Sequence, residues 1–291
     1  MKNIKYEAFL IAVVAMWGLS FGLTKPLLAN LGVFNFLTIR FIGGGLSLML
    51  LLMVTKRFNP NKSLIKAAVT SGFLLFAMYY CHMEGLKYTS VAKNAFIVGS
   101  TVIFIPAVVY IRTRVKTDRL TWFQTIIAIL GLALITLNDF SSLNRGDFIT
   151  LIGTIIFAVY TVSIEHNVKK YDTDVFTAVQ LTTVGVFSSI FMFAFETPNF
   201  DFTGSEWLTL AFLSLVLTGA FFYFLNIIQG KLSSSTVTLI FTLEPFFAVI
   251  FAWMLLKEAI TMHVVTGGIL IILSVSLPYL MPKRKVGEIS G

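Results

Sequence analysis

The chain is 291 residues long, 57% hydrophobic and 12% charged, with a mean hydropathy of +0.86, values far outside those of a soluble globular domain. Lys and Arg outnumber Asp and Glu by 22 to 14, but the excess lies in short loops between apolar runs, so it signals topology and lipid contact, not nucleic acid. The single cysteine, Cys81, excludes an intramolecular disulfide, and without Cys or His at ligand spacing no zinc site is expected.

Ten apolar runs follow in order, at 8–28, 34–55, 64–86, 91–111, 120–138, 147–166, 175–195, 207–229, 234–256 and 262–281. Each is long enough to cross a hydrocarbon core of about 30 Å. The first run follows Lys2 and Lys5 but continues past signal-peptide length, so it is read as a span. With the N-terminus in the cytoplasm, sixteen of the 22 Lys and Arg fall on the cytoplasmic side and five on the other, with Arg40 inside a span. The bias predicts ten crossings of a plasma membrane with both termini cytoplasmic.

A shift of 140 residues reveals weak self-similarity: Glu7 falls on Asp147, Trp17 on Phe157, Arg40 on Gln180 and Gly45 on Gly185. In the third spans the shift is 144, placing Tyr79 and His82 on Tyr223 and Asn226. Five spans per half is an odd number, so the halves cross the membrane in opposite senses. The expected architecture is an all-α integral membrane protein of ten transmembrane helices in two inverted five-helix repeats, 1–140 and 141–291.

Several residues are out of place in hydrocarbon. Glu244 lies in the run 234–256 and is followed by Pro245. A carboxylate at mid-helix costs roughly 2.5–3.5 kcal/mol on insertion scales, which about a dozen Leu, Ile, Phe and Val offset with about 6. Having no long stem with which to reach water, it is a candidate proton carrier or amine cap. Arg40, six residues into the second run, and Lys25, near the outer mouth, are candidates to attract an anion. Tyr79 and His82 form a polar stripe at helical spacing, as do Tyr223, Asn226 and Gln229, and both are expected to face a central cavity. Trp17, Ser20, Phe21 and Thr24, with Phe157, Tyr160 and Thr161, supply aromatic walls suited to an amphipathic small molecule. Pro106 and Pro245 are the expected helix breaks. Glu84, Lys87 and Lys93 are read as interfacial anchors or a local ion pair, and Gly18, Gly22 and Gly43 to Gly45 as close-packing positions.

Trp17-Gly18 with Lys25 eight residues after the Trp, then Arg40, resembles the opening repeat of EamA-like members of the drug/metabolite transporter superfamily. Tyr88 to Phe96, including Asn94 and leading to Pro106, is similar to a third-to-fourth span junction of that family; Glu244-Pro245 with Lys257-Glu258 and Thr261 is similar to its second-repeat signature. A basic cluster including Lys116 and Arg119 stands where the family commonly has an acidic position after the proline. The resemblance implies ten helices in two inverted repeats, cytosolic termini, and a cavity lined by spans 1, 3, 4, 6, 8 and 9. It also implies a carrier of small metabolites, often outward, including amino acids, while other branches carry sugar nucleotides or phosphorylated sugars; a bacterial plasma membrane is expected.

The expected function is a secondary transporter working by alternating access. Its expected partners are a small-molecule substrate and the lipid bilayer, with a proton or counter-substrate for coupling and a homodimer as candidates; no cofactor, metal or nucleic acid is expected. A passive channel is an alternative. Gly18-Leu19-Ser20-Phe21-Gly22 matches G-x-S-x-G and His82 would be its base, but a nucleophile elbow needs a strand-to-helix turn, and a rhomboid-like hydrolase is not built from inverted repeats. No P-loop or dinucleotide fingerprint is present in the sequence.

Overall fold

The computed structural model describes residues 4–89, 91–114, 116–136, 144–256 and 262–280. The boundary near 140 and Ser90, Lys257, Glu258, Thr261 and Lys283 to Lys285 lie outside the described residues, as do the side chains of Phe21, Lys25 and Lys93.

Among the described residues all regular structure is helical. The helices are α1 (Ile4–Asn30), α2 (Val33–Val54), α3 (Lys62–Tyr88), α4 (Val91–Gly99), α5 (Thr101–Thr113), α6 (Arg119–Thr136) and α7 (Arg145–Lys170). They continue with α8 (Thr173–Phe195), α9 (Gly204–Ala211), a π-helical segment (Phe212–Ala220), α10 (Phe221–Gln229), α11 (Ser234–Phe241), α12 (Glu244–Leu256) and α13 (Met262–Leu280). Seven stretches are long and apolar enough to cross a membrane: α1, α2, α3, 94–113, α7, α8 and 204–229. The ten expected runs are thus seven stretches of spanning length, one of them interrupted at Ser100, two shorter apolar helices, Arg119–Leu134 and Met262–Leu277, and a run at 234–256 that is broken in two.

Local sequence sets the helix starts. Asn61 caps α3 through Leu64 N (2.8 Å), and Asp172 caps α8 through Asp174 N and Val175 N (both 3.0 Å). Asn144 with Asp147 and Thr203 with Glu206 form capping boxes at α7 and α9.

Glycines let the helices approach. A Cβ on Gly45 would sit 2.5 Å from Thr182 N, and one on Gly185 would sit 2.7 Å from Ile42 N, so α2 and α8 cross backbone to backbone. Gly85 and Gly146 do the same between α3 and α7, where Gly153 admits the His82 and Cys81 side chains, and Gly131 against Gly267 between α6 and α13. The α2–α8 pair is also tied at both ends. At one, Glu196 accepts from Phe34 N (3.1 Å), Asn35 N (2.8 Å) and Asn35 Nδ2 (2.8 Å), while Asn35 Oδ1 accepts from Asn199 N (2.9 Å). At the other, which we call the basic end, Arg57 pairs with Asp174.

Candidate functional site

A cavity of about 80 Å³ lies between α1, α2, α3, α4, α7, α10, α11 and α12, with Trp17, Arg40, Tyr79, His82, Asn94, Tyr160 and Glu244 in its walls. Ser20, Thr24, Met78, Met83, Phe157, Phe222 and Phe241 complete most of the lining. The volume admits only a few waters.

Glu244 is the first residue of α12, after the chain leaves α11 at Thr242 and Leu243. Pro245 therefore sits in the first turn, where its missing N–H costs nothing. Gly18 brings α1 onto this turn: its Cβ would lie 3.1 Å from Glu244 O and 2.9 Å from Ala248 N. Among the described residues, the Glu244 carboxyl makes no hydrogen bond and no salt bridge.

Arg40, 3% exposed, enters from α2. Its Nε donates to Thr218 Oγ1 (2.8 Å), and its Cζ lies 5.5 Å from the Tyr79 ring and 5.8 Å from that of Phe36. These aromatic faces offset part of the desolvation of the guanidinium. Thr218 stands in the π-helical segment and donates five residues back to Leu213 O (2.9 Å). In the same segment Leu217 O accepts from Trp17 Nε1 (2.9 Å). The widened turn thus positions both Arg40 and Trp17, a role that π-bulges often have at functional sites.

Three other polar atoms here are buried without a partner: His82 Nε2, Asn94 Oδ1 and Thr24 Oγ1. Asn94 Nδ2 donates to His82 O (3.1 Å) and Thr150 Oγ1 (2.9 Å), which fixes the amide and leaves its oxygen open. An orphaned buried acceptor costs about 1–3 kcal/mol unless something fills the site.

Other candidates lie elsewhere. Gln180 stands behind the wall and donates to Tyr160 Oη (2.9 Å), while Asn226 Nδ2 donates to Gln180 Oε1 (3.0 Å) and Thr177 Oγ1 (2.8 Å). Gln229 is buried away from the cavity with neither amide atom partnered, and Tyr223 lies near Asp174 and Arg57 at the basic end. The stripe expected to face the cavity in the eighth span therefore does not line it. α10 presents Phe222 and Leu225 to the cavity instead, and the stripe at 223, 226 and 229, one position further round the helix, points away from it. Pro106 also departs from expectation: it lies inside α5, and the break comes at Ser100, six residues earlier. Ser20 lies within helix α1, and His82 Nε2 makes no bond to it, so nucleophile and base are not joined. Thr218 and the Leu217 carbonyl were not singled out in the sequence; a threonine in the middle of an apolar run is the only trace they leave.

Comparison with known proteins places the chain. It is 25% identical over 279 residues to an "Uncharacterized transporter" of Archaeoglobus fulgidus, covering 94% of this chain and 85% of that protein. It is 24% identical over 295 residues to the "Uncharacterized transporter YoaV" of Bacillus subtilis, covering 97% and 100% respectively. One solved crystal structure superposes with a TM-score of 0.82 at 14% identity, over 98% of this chain and 99% of that one, a likeness of fold. Residues 4–137 and 144–280 both match the EamA-like transporter family. The chain belongs to the EamA-like transporter family and is a membrane-spanning transporter.

Proposed function

We propose that the protein is a secondary transporter that carries a small amphipathic metabolite, such as an amino acid, outward across the plasma membrane by alternating access at the central cavity. The observation that carries this reading is that half-buried Glu244 and buried Arg40, groups of opposite charge type, share one cavity without pairing, beside the unpartnered polar atoms of His82, Asn94 and Thr24. Two opposite charges left unpaired in a desolvated site are complementary to a solute that bears both an amine and an acid. The aromatic walls suit its apolar part.

We read the chain as ten crossings with both termini cytoplasmic, and the inverted repeat within that reading is supported by the packing. Gly45 and Gly185, equivalent under the 140-residue shift, meet at the same α2–α8 crossing. Both broken spans, at Ser100 and at Thr242 to Leu243, occupy equivalent places in the two halves. The halves differ at one contact: α3 is sealed against α7 through Gly85, Gly146 and Gly153, whereas the corresponding approach of α1 to α10 includes the aromatic pair Phe9 and Phe224, centroids 5.2 Å apart. A bundle tight at one end and looser at the equivalent place is what rocking of one half against the other requires.

Solute counterflow in proteoliposomes tests the reading, with a panel of unlabelled amino acids and related metabolites loaded inside and the labelled form outside. A transient overshoot with one compound supports a carrier. Flux without overshoot would mean a channel and overturn alternating access.

A further inference from the structure

A second cavity, about 310 Å³, opens at the basic end among α1, α5, α6, α11 and α13, with the carboxyl groups of Glu7 and Asp118 in its wall. Most of its hydrogen-bond donors are already committed, the Ser235 hydroxyl excepted. Thr121 N and Oγ1 donate to Asp118 (2.9 and 2.8 Å), and Thr125 Oγ1 donates to Thr121 O (2.9 Å). Thr236 N donates to Ser233 Oγ (3.2 Å), and the two hydroxyls bond each other (2.9 Å). Gln124 Nε2 donates to Ser274 O (2.8 Å).

Besides that hydroxyl, what remains open is acceptors. Glu7 has no hydrogen bond or ion pair among the described residues. Gln124 is only 5% exposed, and its carbonyl oxygen has no partner among them. Pro106 has no N–H for the carbonyl of Val102, and both residues line the cavity. Among the described residues the charged side chains that line the wall are these two carboxylates, which outweigh two capped helix N-termini, each worth about half a positive charge; Lys5, Lys116 and Arg119, their neighbours in sequence, do not line it. A ligand that satisfies this wall must donate hydrogen bonds and carry positive charge, while Val102, Ile105, Leu239 and Ile240 offer it an apolar side.

The cavity is continuous in sequence with the central site. Thr101 and Thr238, each beside a residue that lines it, border a gap of about 10 Å³ that reaches Phe241 and Glu244. A gap that small is at the limit for a single water. We propose that the 310 Å³ cavity is a vestibule that selects and holds a small amphipathic amine, a primary alkylammonium, ahead of Glu244. The destination rests on the transporter reading; the site's preference for cations does not.

Thiol labelling in detergent, with no transport involved, tests it. In a Cys81→Ser background, Ser235→Cys places a thiol in the vestibule wall, and Ser205→Cys places one on the exposed start of α9 as a control. Each is treated at low ionic strength with methanethiosulfonates bearing either a trimethylammonium or a sulfonate group. Relative to position 205, position 235 should favour the cationic reagent by about tenfold, as expected for a cleft that focuses one sign of charge. Glu7→Gln with Asp118→Asn, which keeps a capping oxygen for α6, should bring the ratio down to the control. Ethylammonium chloride should slow labelling at 235 more than sodium acetate at equal ionic strength. An equal ratio at both positions, a ratio unmoved by the double substitution, or equal slowing by the two salts would overturn the proposal. None of these results depends on whether counterflow is observed.

Discussion

The α2–α8 pair and the two broken spans that face the central cavity are built on opposite terms. Between α2 and α8, glycines bring backbones into contact, and the Glu196 carboxylate satisfies two amide N–H groups and the Asn35 side chain. Around the breaks at Ser100 and at Thr242 to Leu243, polar atoms are left open and space remains. Irregular backbone at membrane depth persists only where protein or a wet cavity receives it. The difference teaches that one part of the bundle is closed by its own contacts while the other leaves polar groups open, as the proposed transport site requires, and substitutions should separate the two.

The largest effect is expected from Gly45→Val, which forces side-chain atoms into the Thr182 backbone. Overpacking costs typically about 1–3 kcal/mol when neighbours can shift, and backbone cannot shift readily. Size-exclusion chromatography should show loss of the folded, monodisperse species. Glu244→Gln should do the reverse, leaving the elution profile and apparent Tm in place. Losing a charge-assisted contact to substrate of about 1.5–3 kcal/mol lowers affinity roughly 10- to 100-fold. Counterflow at subsaturating solute reads this, and an unchanged rate and pH dependence would remove Glu244 from the mechanism.

Glu196→Ala should fall between these in stability and be silent in transport. It strands the amides of Phe34 and Asn35, at about 1–3 kcal/mol, which a thermal melt reports as a Tm lower by several degrees. Thr218→Val blurs the line between the two parts, because it strips the acceptor from Arg40 Nε in the π-helical segment. A Tm decrease and a weaker apparent affinity should appear together, whereas a change in only one would place Arg40 wholly in the frame or wholly in the site. The smallest effect is expected at the basic end: Arg57 is 62% exposed in its pair with Asp174, and such surface pairs contribute about 0–1 kcal/mol. Arg57→Ala should move the melt by no more than about a few degrees.

Much of the candidate site was legible in the sequence because charge and polarity stand out against hydrocarbon. Glu244, Arg40, Trp17, Tyr79, His82, Asn94 and Tyr160 were all singled out there, and all line one cavity. Tyr223, Asn226 and Gln229 were read from helical spacing and Gln180 from its repeat match to Arg40; all four lie elsewhere, because α10 turns Phe222 and Leu225 to the cavity and Gln180 stands behind Tyr160. Pro106 was read as a break and is accommodated within α5.

By itself the sequence determined the membrane class, the apolar runs and the handful of polar residues too costly to bury without purpose, because transfer free energies belong to residues and add along a run. The tertiary structure alone decided which helices touch, where the chain breaks, and that Thr218 and a backbone carbonyl hold Arg40 and Trp17 in place. Those outcomes depend on close packing between segments far apart in the chain, where a missing Cβ or one extra residue in a turn sets the geometry.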